Sequence, residues 1–331
     1  MVDPATDRGR RAASPAEIPA RGWRDVLSRT AHGIKRDQVS LLAAGVAFYF
    51  FLALVPLLVV AVAVYSIVAG PDDVQRFANG ALGAAPLEVR HLVTRQLRSL
   101  TRTGSQRAGV AAVLAGLVAL WSAASGTGHL IDAINTAFGE GEGRSFVRRK
   151  ALAIGMTVAG LVGGVIAVVL IAFVPSLAAD GFASGTVRWV IGIVRWPLLA
   201  LAMLGALNVM YRLTPDRRNA KWRWVTPGAG VAVGLWIAGS LLFSLYAANF
   251  GRYQAIYGSL ASIVVLLLWL LLTAFAIIAG AELDAELERQ TGRDSTTGTQ
   301  ERPIGTRGAY AADTVGPTAH ELKDARKADR S

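Results

Sequence analysis

Residues 253 to 281 carry no charged side chain, a run bounded by Arg252 and Glu282. At about 1.5 Å per residue, a helix of that length outreaches the roughly 30 Å hydrocarbon core of a bilayer. A helix on a soluble core keeps one polar face, and this run has none. Five more apolar stretches precede it, at about 39–69, 108–128, 151–175, 189–211 and 225–250. Pro56 lies mid-way along the first and predicts a kink, because proline removes a backbone donor. Gly160 and Gly164 in the third form a small-xxx-small pair suited to close helix approach. The pattern predicts an all-α integral membrane protein with six transmembrane helices. The last two are joined by so short a link that they should form an antiparallel hairpin.

Between the first two stretches, residues 70–107 are neither apolar nor simply polar. Val89, Val93, Leu97 and Leu100 fall on one helical face, and Arg90, Arg95, Arg98 and Arg102 cover the others. Such a basic amphipathic segment lies in the membrane interface. These four arginines are candidates for binding lipid headgroups. The plainer reading is a cap over the bundle.

Composition agrees with a membrane protein. Hydrophobic residues make up 53% of the 331 and charged residues 17%, below the quarter of an ordinary soluble domain. Cysteine is absent, which excludes disulfides, a thiol nucleophile and cysteine-held zinc or iron–sulfur centres. The formal charge of +11 has a topological reading. Residues 1–37, 126–150, 212–223 and 282 onward hold 8, 4, 5 and 8 Lys/Arg, against 6, 2 and 1 in 70–107, 176–195 and Arg252. That asymmetry puts both termini in the cytoplasm. The chain then divides into a basic N-terminal segment (1–37), a six-span domain (38–289) and a polar Gly/Thr-rich tail (290–331) expected to be disordered.

Polar groups inside apolar spans must find partners or line a path. Arg195 falls within the fourth stretch, either snorkelling outward or serving an anion. Asn249, Tyr253, Gln254, Tyr257 and Ser259 straddle the last hairpin, where they lock the turn or line a pathway. A cavity reached by Arg195, Tyr49, Asn208 or Asn249 would favour transport, and a solid interior would favour scaffolding. Glu282 and Glu286, one turn apart, are candidates for ion pairs with Arg217, Arg148 or Arg149, with proton coupling as the alternative.

Enzyme chemistry finds little purchase. His32, His91, His129 and His320 are scattered, and no H-x-H, H-E-x-x-H or grouped aspartates occur. No metal or cofactor is expected. The stretch Arg212, Arg217, Arg218, Lys221, Trp222, Arg223, Trp224 has the makings of a phosphate and base contact. It reads more simply as an interfacial anchor, so no nucleic-acid partner is expected. GAGVAVG at 228–234 lacks the spacing and preceding strand of a dinucleotide loop and suits helix packing.

Four segments together carry a resemblance: LLAAGVAFYFFLALVP, LWSAASG, YRLTPDRRNAKWRWVTPGA and FSLYAANFGRYQAIYGSLASIVVLLLWLLLTAFAIIAGAELDAELER. From about residue 24 to 289 the chain resembles the YihY/BrkB family of bacterial inner-membrane proteins. Asp284 stands where that family more often has Asn after Gly-Ala-Glu-Leu. The resemblance implies six membrane helices and no settled reaction, since members have carried the labels ribonuclease, serum-resistance factor and transporter-like protein. The expected activity is transport or flipping of an anionic lipid or small solute among the membrane lipids. A non-catalytic envelope scaffold is the alternative and a membrane-bound ribonuclease the least favoured reading. Self-association into a homo-oligomer stays open.

Overall fold

The computed structural model describes residues 8–68, 105–168, 185–248, 259–298 and 300–328. Among them the chain is helical, with no strand beyond an isolated bridge between Ala220 and Thr296. The long helices are α1 (Ala20–Arg36), α2 (Val39–Val68), α3 (Ser105–Phe138), α4 (Phe146–Val168), α5 (Gly185–Leu213), α6 (Trp222–Ala248) and α7 (Ser259–Glu288). Two short ones follow, α8 (Tyr310–Asp313) and α9 (Ala319–Ala328). Within the described residues, Trp196–Leu213, Trp222–Leu245 and Ile263–Glu288 are each long and apolar enough to cross a membrane. A fourth crossing results if α1 and the first half of α2, bent by 60° at their junction, count as one. The basic amphipathic segment expected at 70–107 lies, but for its last residues, outside the described residues.

Helix α7 sits at the centre and packs against α1, α2, α3 and α6. The core joins Val39, Ala43 and Val46 of α2 to Ile134 and Phe138 of α3, Tyr211 of α5, Ala229 and Ala232 of α6, and Ile278 and Ala281 of α7. Alanine recurs because lipid gives helices no hydrophobic drive to associate. Close backbone approach and dispersion must do that work. The antiparallel pairing of α6 and α7 follows as expected. Trp236 Nε1 donates to Thr273 Oγ1 at 3.1 Å, and Gly239 lies under Leu272. Nearer the polar end Gly228 and Gly280 meet, each so close that an added Cβ would overlap the other's carbonyl oxygen.

Both ends of the chain fold onto that end of the bundle. Residues 290–298 and 300–328, in the stretch read from composition as a polar tail, make hydrogen bonds through their own polar side chains. Arg307, buried, donates to the carbonyls of Arg302 (2.9 Å), Arg293 (3.1 Å), Ala312 (2.7 Å) and Gly292 (2.6 Å). Asp313 accepts the backbone N–H of Gly305 at 2.7 Å and of Arg307 at 3.0 Å. The tail then stitches other segments together. Gln290 reaches the Arg8 carbonyl, Thr291 the Ala12 carbonyl, and Arg10 the Gly316 carbonyl. Lys221 N–H donates to Ser295 O, Thr297 N–H to Asn219 O, and Tyr310 N–H to Glu140. The N-terminal segment, the 139–145 turn, the 214–221 turn and the tail are therefore one polar cap. A polar composition that buries little apolar surface suggested disorder, but here backbone carbonyls are satisfied by guanidinium groups instead.

Three outcomes follow for stability. Gly228→Leu should lower the unfolding midpoint in detergent by the equivalent of about 1–3 kcal/mol or more. Gly230→Leu, which meets open space, should not. Arg307→Ala should leave the bundle folded but open residues 292–313 to limited proteolysis. Acid should act on the same clasp through Asp294. Burial raises its pKa, but hydrogen bonds from Thr296 and the Arg302 N–H outweigh that and hold it below its ordinary 3.8. The stability it contributes is complete above pH 3.8 and disappears as the pH falls through the lower folded value. Protease resistance of the tail should therefore persist to about that pH and fail below it.

Candidate functional site

The polar end of α7 carries four carboxylates at alternate positions, Glu282, Asp284, Glu286 and Glu288, and all four are buried. Residues four apart share a helical face, so Glu282 and Glu286 look one way and Asp284 and Glu288 the other. Glu286 is met by α1, where Arg29 Nε donates to its carboxylate at 2.6 Å and Arg29 Nη2 to its carbonyl at 2.9 Å. Arg289 closes on its other oxygen at 2.6 Å. Glu288 receives both ends of the Arg217 guanidinium, at 2.9 and 2.8 Å, and the Ser295 hydroxyl at 2.7 Å. Arg217 also lies over the Phe138 ring, 4.1 Å from its centre. Asp284 accepts the Gly228 N–H at 2.6 Å, just after Pro227 has removed a donor from α6. Asp284 is thereby buried between α6 and α7.

Glu282 differs from the other three. It is 1% exposed, and neither carboxylate oxygen receives a hydrogen bond. Its chain lies on Gly33 of α1, where an added Cβ would come within 2.5 Å of Oε2. Two of the three anticipated partners are engaged elsewhere. Arg149 pairs with Asp132, and Arg217 with Glu288. Of the two glutamates picked out in the sequence, one is tightly paired and the other stands beside an acid, Asp37.

A second polar constellation lies where α3 meets α4. Lys150, in the first turns of α4, reaches back to α3. Its Nζ donates to Ser125 Oγ at 3.2 Å and the Trp121 carbonyl at 3.4 Å, and sits 4.0 Å from the Trp121 ring centre. Trp121 itself is 54% exposed. Leu117 and Val118 on α3, and Val158, Leu161 and Val162 on α4, are exposed apolar flanks along the same pair of helices. Thr127 and Thr157 bond across the pair at 2.8 Å. Further along α3, Tyr49 of α2 stacks on His129 with centroids 4.0 Å apart, and Tyr49 is 36% exposed.

The remaining sequence-derived candidates are dispersed. Asn208 is buried, donating to the Leu204 carbonyl and accepting from Thr226 at 3.0 Å, so it ties α5 to α6. Arg195 stands on α5 immediately before the apolar window that begins at Trp196. Ser259 opens α7. Asn249, Tyr253, Gln254 and Tyr257, with Arg90, Arg95, Arg98 and Arg102, lie outside the described residues. The basic 212–224 stretch is largely consumed by the cap. Trp224 is buried, Arg217 is paired, Arg218 donates to the Thr297 carbonyl and Lys221 to that of Asp294. Among the described residues no three acidic or histidine side chains group to hold a metal. Lys150, Ser125 and Asp37 were not singled out in the sequence. Trp121-x-x-x-Ser125 did offer a helical i, i+4 signal, but nothing local pointed across to Lys150.

Comparison with known proteins follows the same lines. The family model described as Virulence factor BrkB matches residues 30–304. The ribonuclease-like protein YfkH of Bacillus subtilis (strain 168) is 30% identical over 253 residues, covering 75% of this chain and 90% of that protein. A UPF0761 membrane protein of Albidiferax ferrireducens is 26% identical over 277 residues, covering 81% of this chain and 64% of its own length. One from Xanthomonas campestris pv. campestris is 27% identical over 258 residues, covering 76% and 58%. No solved structure matches. With the match running from within α1 through the end of α7, this chain belongs to the Virulence factor BrkB family of membrane proteins.

Proposed function

We propose that this protein is a non-enzymatic, six-span plasma-membrane transporter or lipid-flipping protein acting on an anionic lipid or small solute, with both termini cytoplasmic. The observation that carries the substrate class is the contact of Lys150 on α4 with α3. There a lysine sits at the boundary between exposed apolar helix faces and the polar cap, steadied by Trp121 and Ser125. Its ammonium has three donors and spends two on α3, so one is left for a phosphate or carboxylate. The apolar flanks suit acyl chains, and Trp121 suits the interface at which headgroups lie. The shared polar cap supports placing both termini on one side, and the excess of Lys/Arg in its segments supports the cytoplasmic side.

A scaffold that works through free tails gains less support, because the tail is engaged with the N-terminal segment and two inter-helix turns. The name of YfkH raises a ribonuclease reading. The acid–base pair it needs has no counterpart at His129, which stacks on Tyr49, or at His320, which pairs with Asp324.

Purified protein in liposomes should move labelled anionic phospholipid or small anions across the bilayer. Lys150→Ala should slow that movement about tenfold, the equivalent of losing one charge-assisted contact of ~1.4 kcal/mol. No movement of any member of a broad anionic panel by the wild-type protein would sink the proposal.

A further inference from the structure

Arg212 stands apart from the buried arginines of the polar end. Arg29, Arg217 and Arg307 spend their donors on carboxylates and carbonyls. Arg212, in the last turn of α5, makes no ion pair or hydrogen bond with a described residue, and its buried Nε meets no acceptor. Its guanidinium lies instead over the indole of Trp222, the first residue of α6, 4.2 Å from the ring centre. Stacking covers the flat face of a guanidinium and leaves the N–H groups at its edge free. Arg212 is only half-buried and Trp222 is 50% exposed, so that edge can be reached from outside the bundle.

The pair marks a membrane boundary. Trp222 opens the apolar span of α6, and Arg212 is one residue from the end of the apolar span of α5. The two helices meet there in a fixed antiparallel register. One turn inward Thr226 donates to Asn208 at 3.0 Å, so 212 faces 222 as 208 faces 226. The next turn is not closed. Gly205 on α5, and Gly230 and Gly234 on α6, continue the two faces, and a Cβ on any of them would meet nothing within 4 Å. These glycines leave an open apolar strip directly inward of the cation.

We propose that Arg212 and Trp222 bind an anionic phospholipid of the leaflet next to the polar cap. The guanidinium edge takes the phosphodiester, and an acyl chain lies along the glycine strip of α5 and α6. A free phosphate would find the same donors, but the apolar strip beneath them offers it nothing, which favours the lipid. An anionic headgroup is favoured because no described carboxylate offsets the charge of Arg212, and a zwitterionic headgroup brings an ammonium of its own toward it. The site is on other helices than Lys150 and does not depend on the transport reading.

Photoactivatable phosphatidylglycerol, with a diazirine in an acyl chain, tests this on the full-length protein in nanodiscs. After illumination, mass spectrometry should place the label on residues 201–205 and 230–234. Arg212→Gln should lower that labelling about tenfold, the loss of one charge-assisted contact. Gly230→Leu should lower it as well by filling the strip. Because that leucine enters open space, this variant keeps the proposal falsifiable if Arg212→Gln does not fold. Arg223→Gln, which removes an exposed arginine next to Trp222, should leave the labelling unchanged. Unlabelled phosphatidylglycerol should compete, and phosphatidylcholine and inorganic phosphate should not. Labelling that survives Arg212→Gln, or that falls equally in Arg223→Gln, reports loose attraction to the bilayer and overturns the proposal. Equal competition by phosphatidylcholine or by inorganic phosphate overturns it too. Lys150→Ala should leave the labelling intact, so failure of this site and failure of transport are told apart.

Discussion

The contact between α6 and α7 at Gly228 and Gly280 sets the geometry of everything around it. Backbones that touch leave no room for a side chain, so the two helices are fixed at the polar end by atoms that cannot adjust. Asp284 adds direction by taking the Gly228 N–H beside Pro227. In lipid, where a hydrophobic drive between helices is missing, this combination of small residues and one buried hydrogen bond is what association has to work with. With α6 locked, α7 presents its other faces to α1, α2 and α3, and its carboxylates to whatever those elements bring.

Those carboxylates organise the cap by taking different kinds of partner. Glu288 pulls in Arg217 and so the turn between α5 and α6, while Glu286 pulls in Arg29 and so α1. Both members of the Arg217–Glu288 pair are fully buried, and removing one side of such a pair costs about 3–5 kcal/mol because the other is left uncompensated. That cost says little about net stabilisation, since an apolar pair of the same shape can do as well. What the pair does fix is register, because only one arrangement of the turn brings the guanidinium over Phe138 and onto Glu288. Glu282 instead rests against Gly33 of α1.

Much of the bundle was legible because lipid demands long apolar helices and short links, and those leave an unmistakable trace. The α6–α7 pairing could be read from 225–281 alone. The cap could not. Arg307 and Asp313 sit in a stretch whose composition resembles a flexible tail, and their value lies in carbonyls and N–H groups that any sequence possesses. Glu282 and Glu286 share a face and look equivalent in the sequence. They part because Arg29, some 250 residues away along the chain, reaches Glu286 and leaves Glu282 against Gly33. Lys150 was visible as one positive charge among several near a membrane boundary, and its placement against Trp121 and Ser125 required two helices to be packed first.

The net charge of +11 changes meaning once the cations are located. Arg29, Arg217 and Arg307 count toward a basic face, yet all three are buried in pairs or carbonyl cages and present no charge to a surface. A topological count is unaffected, because insertion reads the chain before it folds. A binding argument is affected strongly, because only cations that remain partly exposed with donors to spare can recruit an anion. By that criterion the 212–224 stretch, the most basic in appearance, loses Arg217 to Glu288, and Arg218 and Lys221 give donors to the tail. The single lysine where α4 meets α3 gains by comparison. Where a cation stands relative to apolar surface, rather than how many stand together, is what distinguishes a lipid-facing site from a stitched cap.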